Sequence, residues 1–118
     1  MATDPQDPAA TVPPPVATIH EAELASGPSG GVLRGAEIDL DDAVARRRAG
    51  GNVVVCGDDT DTNRGVASTI ESTVGPCLRS DPHKKAGPLA LPHYQPQPRP
   101  PQGHTFYETA RRKARKAK

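Results

Sequence analysis

Large apolar side chains are scarce in this chain. Its 118 residues include no Trp, one Phe, two Tyr and one Met, against 14 prolines and 11 glycines. A deep aromatic core is therefore excluded. Between Ile38 and Tyr107 only about fifteen sizeable apolar residues remain, enough for one thin layer of packing. Long hydrophobic runs are also missing. No stretch of 18 apolar residues exists, so no membrane-spanning helix is expected. The N-terminus MATDPQDPAATVPPPV has neither a basic n-region nor an apolar h-region, so export, if it occurs, is expected to need a carrier apparatus or a fused delivery domain. Cysteine is limited to Cys56 and Cys77, too few to define a disulfide framework. Cys56 ends an apolar run and reads as a small buried hydrophobe, and Cys77 follows Pro76 in a loop-like stretch.

What the sequence does have is an uneven charge distribution. The formal net charge is +1, but residues 1–61 carry −7 and residues 62–118 carry +8. A basic C-terminal half suits a polyanion or an acidic partner as readily as it suits a solvated surface.

The organisation reads in three parts. Residues 1–34 form a leader rich in Pro, Gly and Ser that cannot bury enough surface to offset ordering entropy. Within it, Thr18 to Ala25 is compatible with one short helical turn. Residues 35–108 form a small single α+β domain, with two helices packed on a short sheet and a long Pro-rich loop. Residues 109–118, TARRKARKAK, form a basic tail without an apolar stripe, expected to be frayed and solvated.

A first helix is expected at about Leu40 to Ala49. Asp39, Asp41 and Asp42 suit its positive end, Arg46, Arg47 and Arg48 its negative end, and Gly50 with Gly51 its stop; Leu40 and Val44 would share the buried face. Val53, Val54, Val55 and Cys56 read as a strand buried on both faces. A second helix is expected from about Thr62 to Val74, with Val66, Ile70 and Val74 inward and Gly75-Pro76 as its end. From Pro76 to Pro101 prolines oppose a central strand. His104 to Glu108 then alternates as a strand, with Thr105 and Tyr107 on one face and His104 and Phe106 on the other.

Three histidines, His83, His93 and His104, fall in the last third of the domain among Tyr94, Tyr107, Arg79, Lys84, Lys85 and Arg99. Two imidazoles beside a cation can cleave RNA without a metal. One takes the proton of the ribose 2′-hydroxyl and the other protonates the departing 5′-oxygen. By spacing alone these read as ordinary loop histidines slightly more readily than as a catalytic set. The same histidines with Cys77 match no compact zinc-ligand spacing. Asp59-Thr60-Asp61-Thr62-Asn63 imitates the opening of a calcium loop, but Arg64 stands where glycine is required; a capped helix start explains these acids better. No metal and no cofactor is expected.

Several short segments carry a resemblance: Gly50 to Val55, a helix opening with Asn63 and Arg64 and carrying Ala67 and Ile70, Pro82-His83, Leu91-Pro92-His93-Tyr94, and Gly103-His104-Thr105-Phe106-Tyr107. Over about residues 37–108 the chain resembles C-terminal toxin domains of bacterial polymorphic toxins, the variable tips of Rhs-type, contact-dependent and secretion-system effectors. Where such tips often have a second histidine after the tyrosine, this chain has Gln95.

The resemblance implies a secreted nuclease acting in the target-cell cytoplasm, most often a small α+β ribonuclease, and a cognate immunity protein, acidic if it covers a basic cleft. Some of these tips instead consume NAD or act on peptidoglycan. On this reading His93 and His104 form the acid/base pair, facing each other across a groove. Tyr107 and Tyr94 position the substrate, Arg64 or Arg99 contacts phosphate, and His83, Lys84 and Lys85 add to the RNA- or DNA-binding surface. The alternatives are a non-catalytic module that binds nucleic acid or a partner through the basic half, and a metal-dependent nuclease.

Overall fold

A computed structural model of the chain describes residues 16–25, 31–81, 90–97 and 102–116. Among them the elements run β1 (Thr18–Leu24), β2 (Val32–Ile38), α1 (Leu40–Arg48), β3 (Asn52–Cys56), α2 (Thr60–Val74), β4 (Cys77–Ser80), β5 (His93–Pro96), β6 (Thr105–Tyr107) and the two-residue β7 (Arg115–Lys116). They form a small α+β domain whose mixed sheet has the order β4-β5-β6-β3-β1-β2-β7. Of the Pro-rich loop expected from Pro76 to Pro101, residues 82–89 and 98–101 lie outside the described residues.

The sheet is built around the valine run. Val53, Val54 and Val55 are wholly buried because β3 lies between β1, antiparallel, and β6, parallel, with side chains packed on both faces. Val53 and Val55 join Ala43 and Val44 of α1, Ala67 and Ile70 of α2, and Tyr107 in one cluster. Val54 and Cys56 point the other way, to a cluster with Ala22, Val32, Leu91 and Phe106 against which Ala114 packs. Both helices therefore cover one sheet face, and among the described residues the opposite face is covered by Leu91 and Ala114.

Each helix begins where its cap is encoded. Asp39 accepts from the Asp42 amide at 2.8 Å, and Asp59 accepts from the amide and hydroxyl of Thr62 at 2.8 and 2.6 Å. After α1, Gly50 takes φ +92°, a left-handed stop that suits glycine. The buried stripes differ from the aliphatic spacing. In α1 the inward residues are Ala43, Val44 and Arg47, so Leu40 is turned out and 42% exposed. In α2 they are Asn63, Ala67, Ile70 and Glu71, with Val66 and Val74 at the margin.

Arg47 and Glu71 define that arrangement. Both are fully buried. Arg47 Nε donates to Glu71 Oε2 at 2.6 Å and Nη2 to Oε1 at 3.3 Å, while Nη1 donates to the carbonyls of Gly51 and Gln102 at 2.7 and 2.8 Å. Thr105 adds a hydroxyl bond to Glu71 Oε2 at 2.6 Å. The pair ties α1, α2 and β6 together, so Arg47 does more than complement the helix dipole.

Three expectations are corrected. Residues 18–25 do not form a helical turn: Thr18–Leu24 is a strand paired on both edges, with β2 and with β3. Backbone bonds to two neighbours override the weak local preference of a short segment. The sheet consequently begins inside the expected leader, and the boundary at residues 34 and 35 falls within β2. Second, the Pro-rich stretch contributes β4 and β5, and β5 is interior, between β4 and β6. It tolerates proline because Pro96 ends the strand and Pro92 precedes it, the Pro92 carbonyl accepting from the Tyr107 amide at 3.1 Å. Third, the basic tail is packed as far as β7. Arg112 Nη1 donates to the Ala90 carbonyl and Lys113 Nζ to the Gly57 carbonyl, each at 2.8 Å, and β7 runs parallel to β2.

Candidate functional site

Strand alternation sorts the expected site residues onto opposite faces. On β6, Thr105 and Tyr107 face the helices, while Phe106 and the flanking His104 face away, as the sequence spacing predicts. The antiparallel register places His93 opposite Phe106 and Tyr94 opposite Thr105. The face away from the helices thus gathers His93, His104 and Phe106. The His93 and His104 ring centroids are 4.3 Å apart, edge to face at 65°, and each ring also lies against Phe106, at 5.5 and 5.3 Å. Both histidines are half-buried.

Backbone pairing fixes His104, since Val53 N donates to its carbonyl at 3.2 Å and its own amide donates to Asn52 Oδ1 at 2.8 Å. The turn before it requires a glycine. Gly103 has φ +91°, and a Cβ there would lie 2.6 Å from Arg47 Nη1 and 2.8 and 2.9 Å from the Gly50 and Gly51 carbonyl oxygens. The buried arginine and the histidine motif are therefore one construction. His93 is oriented by Gln95, with Nε2 3.2 Å from Gln95 Oε1; as an amide oxygen only accepts, that ring nitrogen is the donor.

The remaining expected residues are elsewhere. Tyr107 is 2% exposed and packs with Tyr94, centroids 6.0 Å apart, among the helix-side residues. Its hydroxyl accepts from Arg79 Nη1 at 3.2 Å, and Arg79 also pairs with Asp81 at 2.6 Å. The Asp81 carboxylate and the Tyr107 hydroxyl hold the Arg79 proton more firmly than usual. The two tyrosines lie on the other sheet face from the histidines, because Tyr94 is one position from His93 and Tyr107 three from His104, both odd offsets along a strand. Arg64 is exposed on α2, on the helix side, paired with Asp61 at 3.0 Å. Among the described residues the expected site set is divided: His93 and His104 meet beside Phe106, while Arg64, Tyr94 and Tyr107 lie on the helix side. His83, Lys84, Lys85 and Arg99 lie outside the described residues.

The two imidazoles are in contact, so a phosphodiester does not fit between them; the expected groove across which they face each other is replaced by a direct edge-to-face contact. Among the described residues no group of three or more His, Cys, Asp or Glu side chains is gathered as a metal site requires, and no helix is long and apolar enough to cross a membrane. Cys56 and Cys77 are both free thiols. Burial above all, and the nearby Glu108 charge, push the Cys56 thiol up to about 12.

Sequence reasoning missed Glu108, buried at the far end of β6, and the Arg47–Glu71 pair. Glu108 was legible in part, since it continues the alternation His104, Phe106, Glu108. Arg47 and Glu71 are 24 positions apart, and no local pattern joins them. No family model matches the chain, and neither a curated protein nor a solved structure matches it.

Proposed function

We propose that the chain is a toxin-type nuclease domain that cleaves RNA without a metal, using His93 and His104 for acid/base catalysis. The observation that carries this reading is the contact between the two rings on the sheet face that the helices leave open. In this reading one imidazole acts as the base and the other as the acid. The neutral ring takes the 2′-hydroxyl proton as the 2′-oxygen bonds to phosphorus; the P–O5′ bond breaks, and the protonated ring supplies the proton to the 5′-oxygen. A 2′,3′-cyclic phosphate and a 5′-hydroxyl result, with the pair's total proton count unchanged. The phosphodiester meets the rings from outside their contact, away from the buried Nδ1 atoms. Gln95 supports the assignment by holding His93 in one tautomer, and the basic C-terminal half supplies attraction for the polyanion.

The non-catalytic alternative draws on the tail, but Arg112 and Lys113 donate inward to backbone carbonyls, which leaves Arg111 and Arg115 as the exposed cations of that stretch among the described residues. Purified chain incubated with total RNA, DNA and NAD, each with and without a chelator, tests the reading. Chelator-resistant cleavage of RNA alone is expected, with His93→Ala and His104→Ala each lowering it at least a hundredfold while the folded circular dichroism spectrum is retained. Unchanged cleavage in either variant removes the assignment.

A further inference from the structure

At the far end of β6 from the histidines, on the same sheet face, a cavity of about 440 Å³ is lined by Thr18, Arg34, Cys56, Asp58, Glu108 and Lys113, among others. Glu108 is the buried polar group in its wall, 4% exposed. Its Oε1 accepts from the Gly57 amide at 3.0 Å and its Oε2 from the Ala114 amide at 2.8 Å. A carboxylate offers about four acceptor sites; the two amide bonds take one on each oxygen and fix the group's orientation, and the Cys56 thiol lies within hydrogen-bonding reach of it. Lys113 Nζ donates to the Gly57 carbonyl at 2.8 Å and is 3.5 Å from Asp58 Oδ1. Arg34 has no carboxylate partner within salt-bridge distance among the described residues. Cys56 lies within hydrogen-bonding reach of both Arg34 and Glu108, and its proton is held well above neutral pH.

We propose that this cavity binds a guanine nucleotide unit, with Glu108 receiving the base and Arg34 its phosphate. Two acceptor oxygens held side by side call for two neighbouring N–H donors. Guanine presents N1–H beside its 2-amino group. Adenine and cytosine place a ring acceptor beside their amino group, and uracil flanks its single N–H with carbonyls. A guanidinium would also match the carboxylate, but it would meet the positive charges of Arg34 and Lys113. A neutral base attached to an anion matches both parts of the wall. The choice of RNA as the source of the base rests on the nuclease reading, and it names the specificity of that enzyme. His104, Phe106 and Glu108 follow one another on one face, so the base site is about 13 Å along the chain from His104, on the scale of a short stretch of RNA.

The test is calorimetric titration of the full chain with GMP, AMP, CMP and UMP, beside cleavage of RNAs that contain or lack guanosine. GMP is expected to bind at least tenfold more tightly than the other three. Arg34→Ala should weaken GMP at least fivefold while leaving guanosine, which has no phosphate, unchanged. Glu108→Gln should abolish the preference for guanine. Because that variant loses one backbone acceptor, it is first checked by thermal melting; should it unfold, Arg34→Ala and the wild-type preference decide the matter. Equal binding of the four nucleotides, no binding, or an Arg34→Ala protein indistinguishable from wild type overturns the proposal. The two readings fail separately. Selective GMP binding by a chain that cleaves no RNA upholds the cavity and removes the nuclease; RNA cleavage blind to guanosine, with no GMP preference, removes the cavity alone.

Discussion

At the scale of single residues, the most consequential side chain is an arginine that reads from sequence as helix-end charge. Arg47 is wholly buried and makes bonds to Glu71, Gly51 and Gln102, so its removal leaves the Glu71 carboxylate in the interior without its counter-charge. Arg47→Ala is expected to lower unfolding free energy by about 3–5 kcal/mol in denaturant titration, a large part of what a domain of this size has. A loss below about 1 kcal/mol would show the pair to be dispensable. Cys56 gives a second prediction. Its thiol is held near 12 against the usual 9.0, chiefly by burial, so the folded state resists losing that proton. Its contribution is complete below pH 9 and declines as pH rises from 9 toward 12, where the unfolded chain ionises first. Stability measured across that range should fall more steeply than in a Cys56→Ala chain, and a thiol reagent at neutral pH should modify half-buried Cys77 before Cys56. Simultaneous modification of both would contradict the burial.

At the scale of elements, the capping residues, the glycine stops and the valine run were all readable in advance, because each acts within a few residues of itself. The start of α2 is an example. Asp59 binds the amide and hydroxyl of Thr62, and those bonds, the hydroxyl first, draw the carboxyl below its ordinary range. Asp59→Ala should therefore lower stability in thermal or denaturant unfolding. The wild-type advantage is present above the ordinary carboxylate range and disappears as pH falls through the lowered value. A difference that persists undiminished in acid would point to some other cause. The strands were harder. β4 and β5 are short, β1 is mixed in character, and each has neighbours that supply its backbone bonds; β5 in particular lies between β4 and β6. The alternation of β6 was visible and correct, yet it also separates the two tyrosines from the two histidines, a consequence obscured when motifs are read as continuous strings.

At the scale of the whole molecule, the sheet incorporates segments that composition assigns to a leader and a tail. β1 pairs with the central β3 along Thr18 to Ala22, and β7 closes the opposite edge from β4. Truncation to residues 35–118 is thus expected to yield a chain without a cooperative melt, since it strips one edge of β3 and leaves Val54 and Cys56 without Ala22 and Val32. A cooperatively folded truncated chain would restore the boundary read from composition. The sequence by itself determined the α+β class, the two helices and their caps, the buried valine strand and the face on which His104 and Phe106 lie, because these follow from spacing and from contacts within one turn or one strand. Only the tertiary structure decided that His93 meets His104, that Tyr94, Tyr107 and Arg64 lie on the other face, that Arg47 finds Glu71, and that Glu108 and Arg34 line one cavity. Those relations join residues far apart along the chain, and their partners are chosen by sheet register and by the desolvation of buried charge, neither of which leaves a local pattern.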